Sequence, residues 1–304
     1  MPVPVSDESV RAGDGGDRQF YGLDDFEARP GSITSLLRTF VGLHVRRLGG
    51  WIAVADLVRL LEDAGLTATG VRSAVSRAKV KGLFEPETRG DTQGYGLTPQ
   101  VVGMLERGDA VIFSRRRHAV EDGWCLLSYS VPEGRRPDRY RIRRLLTQLG
   151  CGTVADGLCI APHSLAPRLE ALLAEAGLRD WVTVFDSALL RPGEDLAAVC
   201  GTWWDLGATA DLHRQFLDRF GDVAREASSP TFSRREAFVT QLRVVDAWRP
   251  IPYRDPGLAL EALPSDWPGD AAADLFATVI AQVSERATAY VEDVVGAAAE
   301  PDAR

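Results

Sequence analysis

The chain has 304 residues, 45% of them hydrophobic and 26% charged, proportions of an ordinary globular protein that exclude a disordered or fibrous one. Its formal net charge of -8 excludes a uniformly basic nucleic-acid coat. The charge is uneven, however: residues 31–148 carry 19 Lys and Arg against 12 Asp and Glu, whereas residues 149–304 carry 13 against 24. A basic module set in an acidic body suits a polyanion-binding unit joined to a part with another task.

Residues 1–30 are rich in Gly and Asp, lack an apolar core of signal-peptide length, and are expected to form a flexible extension. No stretch approaches the ~18 uncharged apolar residues of a membrane span. The expected setting is the cytoplasm. Cys125, Cys151, Cys159 and Cys200 show no C-x-x-C spacing, so reduced thiols are expected rather than a disulfide framework or zinc knuckle.

From residue 31 a helical period begins. Ile33, Leu36, Leu37, Phe40, Val41, Leu43 and Val45 recur at three- and four-residue steps until Gly49 and Gly50. After a short β-like bridge at 51–53, a second helix is predicted over 54–64, with Gly65 as its stop. Thr67 and Thr69 are candidate N-caps of a third helix over 71–80, which turns Val71, Ala74, Val75 and Ala78 inward. Residues 83–97 read as two strands around a Gly/Asp-rich turn, and Thr98-Pro99 opens a fourth helix over 100–106. The order is that of a winged helix-turn-helix spanning 31–115.

Beyond it, strands are predicted at 124–131, 152–161 and 181–188 and helices at 136–149 and 164–176. A βαββαβ order suggests a small ferredoxin-like domain over 120–192. Helices at 196–206, 210–223, 233–248 and 270–295 form a third, helical region over 193–296, expected to bind an effector and to dimerise. The Pro-rich link 249–256 inside it is expected to exclude helix. The fold class is therefore α+β: winged helix-turn-helix, ferredoxin-like centre, helical C-terminal domain.

The outward face of the third helix carries Arg72, Ser73, Ser76, Arg77 and Lys79, with Thr69 at its start. Arg and Lys engage phosphates and guanine edges, and short hydroxyls tolerate close approach to a DNA backbone. Arg89 and Gln93 at the wing tip, and Arg46 and Arg47 near the end of the first helix, complete the expected DNA-binding set. Trp203, Trp204, His213, Arg214, Trp248, Arg249, Tyr253 and Arg254 are candidates for an effector pocket of aromatic walls and cations. Arg135, Arg136, Arg139, Arg141, Arg143 and Arg144 suit DNA, the phosphates of an effector or pairing with the acidic C-terminal region, the last being the plainest expectation.

No nucleophile–base pair, metal-ligand cluster or phosphate loop stands at recognisable spacing, so neither catalytic nor metal-binding residues nor a cofactor are expected. The scattered His44, His118, His163 and His213 are expected to be structural. An alternative reading is a nucleic-acid-processing or protein-interaction module. The central sheet resembles that of CRISPR-associated endoribonucleases, which hold metal on a first-strand carboxylate. Residues 124–131 carry none, and Asp122 lies just before them.

The strings TGVRSAVSRAKVKGLF (69–84) and GYGLTP (94–99) resemble the N-terminal domain of the PaaX-type phenylacetate-degradation repressor family. WCLLSYSVP (124–132) and CIAPH (159–163) resemble its central strands. Phe238-Val239, Arg254-Asp255-Pro256 and LPSDWPG (263–269) resemble its C-terminal signature. The resemblance covers about residues 31–295 and departs from the family pattern at Ala78 and over the first thirty residues. It implies a homodimeric repressor of aromatic-acid catabolism genes that binds a double-stranded DNA operator and is released by an aryl-acyl coenzyme A such as phenylacetyl-CoA.

Overall fold

The computed structural model describes residues 29–114, 117–188, 190, 193 and 195–297. The expected extension 1–30 lies outside them save for Arg29 and Pro30, as do Arg115 and Arg116. The class is mixed α+β with two small antiparallel sheets.

Helix α1 (Ile33–Phe40) starts at Ser32, whose hydroxyl accepts the Ser35 N–H, and continues into a wider turn over Val41–Val45. Strand β1 (Trp51–Ala53) and helix α2 (Val54–Asp63) follow. Helix α3 (Ala68–Val80) starts at Thr67, which of the two candidate threonines is the one that caps. Strands β2 (Phe84–Arg89) and β3 (Thr92–Leu97) form a hairpin around Gly90, whose φ of +57° suits glycine. Strand β1 joins β3 to give the order β1-β3-β2.

Helix α4 (Pro99–Ile112) runs six residues past its predicted end. Gly108 weakens the sequence signal there, but tertiary contacts hold the extra turns. Asp109 forms an ion pair with Arg46, and the Ile112 carbonyl accepts the indole N–H of Trp248 at 3.0 Å. Thr98 stands at the cap position, yet its hydroxyl donates to the Gly82 carbonyl at 3.1 Å, tying the helix to the turn after α3.

The second sheet comprises β4 (Trp124–Tyr129), β5 (Gly152–Ala155), β6 (Leu158–Pro162) and β7 (Val182–Ala188), in the order β5-β6-β4-β7. Helices α5 (Arg136–Gln148) and α6 (Ala166–Glu175) cover one face, burying Ile142, Leu146, Leu169 and Leu173 against Leu127 and Cys159. The other face packs Trp124 and Ile160 on Trp204, Leu206, Leu258 and Leu263.

The C-terminal helices are α7 (Leu196–Trp203), α8 (Leu206–Phe220), α9 (Val223–Ala227), α10 (Arg234–Trp248), α11 (Ile251–Arg254) and α12 (Gly269–Ala297). Two expectations need correction. The boundary between α7 and α8 falls earlier than the sequence suggests, because Trp204 is extended and the Asp205 carboxylate accepts the Ala208 N–H, beginning a new helix. The Pro-rich link also contains a helical turn, α11, with Pro252 in its first turn, where a proline forfeits no helical hydrogen bond.

The largest buried cluster joins both ends of the chain. Leu37, Phe40 and Val41 of the α1 region pack with Phe238 and Leu242 of α10 and Val283 and Ala287 of α12. The buried residues of α1–α3 and the hairpin are therefore continuous with those of the C-terminal helices.

Candidate nucleic-acid interface

The face of α3 follows from its period. Val71, Ala74, Val75 and Ala78 are all buried, so at 3.6 residues per turn Thr69, Arg72, Ser73, Ser76, Arg77 and Lys79 are turned to solvent. The Thr67 hydroxyl accepts the Gly70 N–H at 3.2 Å and fixes where the helix starts. The Arg77 guanidinium donates to Ser73 Oγ at 2.8 Å and reaches Thr34 Oγ1 at 3.5 Å, which holds the side chain along the groove between α3 and α1. The Lys79 ammonium lies 5.7 Å from the Tyr95 ring centre of β3, linking the helix to the hairpin. Among the described residues, none of Arg72, Arg77 and Lys79 has a carboxylate partner. These three cations form a charged face without carboxylate counter-ions among the described residues.

The hairpin lies beside this face. Gln93 is exposed opposite Thr88, while Arg89 lies 5.0 Å over the Trp51 ring with its Nε 2.7 Å from Glu87 Oε1. Arg47 is exposed, whereas Arg46 is half-buried in its ion pair with Asp109 and serves the junction of α1 and α4. Val80, at the last turn of α3, is 88% exposed. That exposure is hidden in the sequence, because a valine closing an amphipathic helix reads as core. Thr34 was missed as well, since only the fold brings α1 to Arg77.

Three family models match the chain in succession. Residues 32–101 match the PaaX-like protein model, 117–199 the PaaX protein central Cas2-like domain, and 204–293 the PaaX-like protein C-terminal domain. The chain belongs to the PaaX family.

Transcriptional repressor PaaX of Escherichia coli (strain K12) is 28% identical, over 88% of this chain and 85% of that protein. The uncharacterized protein Rv0674 from Mycobacterium tuberculosis has a similar fold, with a TM-score of 0.50 and 20% identity over 82% of this chain and 99% of that one. Within the PaaX family assignment, the Cas2-like description falls on β4–β7 with α5 and α6, and the first model on α1–α3 with the hairpin.

The candidate effector residues of this PaaX-family chain are dispersed. Trp204 is buried on the second sheet, donating its indole N–H to the Gly150 carbonyl at 2.8 Å. Trp203 borders a shallow cavity of about 570 Å³ with Gly201, Asp205 and Pro264. Trp248 stacks on Phe276 at 4.7 Å, and His213 lies between Trp248 and Trp267 with its Nε2 2.8 Å from Asp255 Oδ2. Arg249 donates to Ser35 at 2.9 Å. Arg214 pairs with Asp211 and Asp266, Tyr253 lies under the Arg168 guanidinium at 4.6 Å, and Arg254 is exposed. Among the eight, ring contacts join His213 with Trp248 and Trp203 with Trp204.

Asp122 precedes β4, and its carboxylate accepts the Ala119 N–H at 2.9 Å. Among the described residues no three His, Cys, Asp or Glu side chains gather in a metal-binding group. Burial pushes the Cys125 thiol up to about 12 and those of Cys159 and Cys200 to about 11, which suppresses thiolate chemistry. On the arginine-rich α5, pairing with the C-terminal region is not what Arg135, Arg139 and Arg141 do. Arg135, just before α5, and Arg141 pair with Asp138 of α5, and Arg139 pairs with Asp156 of the β5–β6 turn.

Proposed function

We propose that this chain is a transcriptional repressor of phenylacetate-type aromatic-acid catabolism genes, acting as a cytoplasmic homodimer on a double-stranded DNA operator and released by an aryl-acyl-CoA. Residues 31–115 work as a winged helix-turn-helix, 120–192 as a ferredoxin-like centre, and 193–296 as the effector and dimerisation region, with 1–30 an appendage. The chain is a regulator rather than an enzyme.

The observation that carries this reading is the α3 face, whose cations lack carboxylate partners among the described residues and stand beside short hydroxyls and a hairpin. The repressor named among its relatives supports it. In the major groove, Arg72 and Arg77 reach base edges, Thr69, Ser73 and Ser76 allow close approach, and Lys79 and Arg47 meet phosphates. Val80 supplies an apolar contact to a thymine methyl. Arg89 and Gln93 extend the contact through the wing, and Arg46 positions the unit through Asp109. Two such helices related by a twofold axis read half-sites one DNA turn apart.

Release requires an effector that binds better to a dimer geometry mismatched to the operator. The aromatic and cationic residues from Trp203 to Arg254 are the region assigned to it, with the junction around Trp248 and Arg249 transmitting the change to α1. A mobility-shift titration at fixed salt against the chain's own upstream promoter tests this. Binding should exceed that to random duplex by about 10³-fold or more, and phenylacetyl-CoA should weaken it. Equal affinity for both duplexes overturns the reading.

A further inference from the structure

Helix α5 and the residue before it place six arginines within residues 135–144, and the helical register separates them. Ile142, Leu145 and Leu146 are buried against the sheet, so Arg136, Tyr140, Arg143 and Arg144 lie on the side farthest from the core. Arg135, Arg139 and Arg141 flank this ridge and spend their charge on Asp138 and Asp156. Among the described residues, Arg136 and Arg143 have no ionic partner, and Tyr140 is 69% exposed.

Such a helix is a poor choice for stability. Arginines three and four positions apart repel one another, and Arg135 and Arg136 face the positive end of the helix dipole. A solvated helix gains nothing by carrying that repulsion in a chain of net charge -8. The repulsion is relieved when a polyanion lies along the ridge.

We propose that this ridge is a second DNA-contacting surface, which grips the phosphate backbone of duplex flanking the site read by α3. It rests on the DNA-binding reading and deepens it. Arg136 to Arg144 spans about 12 Å of convex helix. A small phosphorylated ligand needs a concavity that surrounds it, whereas a phosphate backbone presents successive charges to a line of guanidiniums. The acidic residue within α5, Asp138, does not compete for the ridge, since it is buried and already paired with Arg135 and Arg141. Arg136 and Arg143 form charge-assisted contacts to phosphate oxygens, and the Tyr140 hydroxyl adds a neutral one. Contacts of this kind strengthen binding without reading sequence.

The test is fluorescence anisotropy with the full chain, promoter duplex and random duplex over a salt series. R136Q/R143Q should weaken binding to both duplexes and make each salt slope shallower by about 1.8, from about 0.9 per phosphate lost. The promoter-to-random ratio should stay the same, and R136K/R143K should restore the slope. The glutamine variant should melt no lower than the parent, because a repulsion has been removed. Unchanged slopes, no binding of the parent to either duplex at low salt, or a loss confined to coenzyme A binding would each overturn the proposal. A parent that binds both duplexes equally refutes operator reading by α3 alone, while the slope on random duplex still decides the role of the ridge.

Discussion

Asp246 of α10 accepts a 2.5 Å hydrogen bond from the Ser35 hydroxyl of α1, across 211 residues of sequence. The same carboxylate accepts the Thr39 hydroxyl at 3.0 Å and the Gly31 N–H at 2.6 Å. Arg249 completes the cluster by donating to Ser35, and its Nε lies 3.6 Å from Asp246. Both charged side chains are buried, so α1 is fastened to α10 by a buried polar network.

Asp246→Ala should therefore destabilise the chain by about 3–5 kcal/mol, because it strands a buried arginine together with two hydroxyls and an N–H. Asp246→Asn should cost less, since it keeps an acceptor oxygen. Denaturant unfolding of the two variants checks this, and a cost below about 1 kcal/mol for the alanine variant would show that the network is not a fastening.

Arg77→Ala should weaken binding to the cognate promoter by about 1–3 kcal/mol if the side chain reads a base. Its stability should hardly change, because the side chain is exposed and bonded only to hydroxyls. Arg46→Ala provides the contrast: it breaks a half-buried ion pair worth about 0–1 kcal/mol and should leave sequence preference intact. Mobility shifts on matched and mismatched promoters separate the two. An unchanged affinity for the Arg77 variant removes it from the reading set.

The contrast between Arg77 and Arg46 also shows what the sequence made legible. The α3 face was readable because a single helical period sorts Val71, Ala74, Val75 and Ala78 from the polar residues between them. Arg46 looks equally exposed in sequence, and only folding brings Asp109 to it from 63 residues away. Asp246 likewise reads as an ordinary surface charge on an amphipathic helix, although α1 covers it. The aromatic character of the effector candidates was plain. Their dispersal was not, because Trp248 finds Phe276 and Trp204 finds Gly150 through long-range packing that periodicity does not encode. The proline signal misled at α11 for a local reason, since Pro252 falls in the first turn, whereas the turns of α4 past Gly108 are held by tertiary contacts that outweigh local preference.

His44 yields a prediction with a definite sign. It is buried with its ring 5.5 Å from those of Phe40 and Phe238, and burial, helped by Arg47, lowers its pKa to about 4. The unfolded chain takes up a proton near pH 6.5, whereas the folded chain refuses it until about pH 4. The stability tied to the neutral ring is thus complete above about pH 6.5 and is lost as pH falls towards 4. Between about pH 7 and pH 5 the loss should be about 2 kcal/mol. His44→Leu should flatten this part of the stability profile, and an equally steep profile in the variant would assign the acid sensitivity elsewhere.

Gly94 and Gly96 on β3 look alike in sequence, yet the structure separates them. A Cβ on Gly94 would lie 2.4 Å from two atoms of the Trp51 ring and 2.6 Å from the Ile52 carbonyl oxygen, so both a ring and a backbone would have to move. The ring is held by its N–H bond to the Glu87 carbonyl at 3.2 Å, and the backbone by the pairing of Ile52 with Tyr95. A Cβ on Gly96 meets chiefly the end of the Glu87 side chain, which can swing away. Gly94→Ala should therefore cost about 1–3 kcal/mol and loosen the hairpin, lowering affinity for matched and random duplex alike. Gly96→Ala should cost much less and leave DNA binding near that of the parent. Thermal unfolding and anisotropy of the two variants decide the matter, and equal costs would mean that β1 does not lock the hairpin through Trp51.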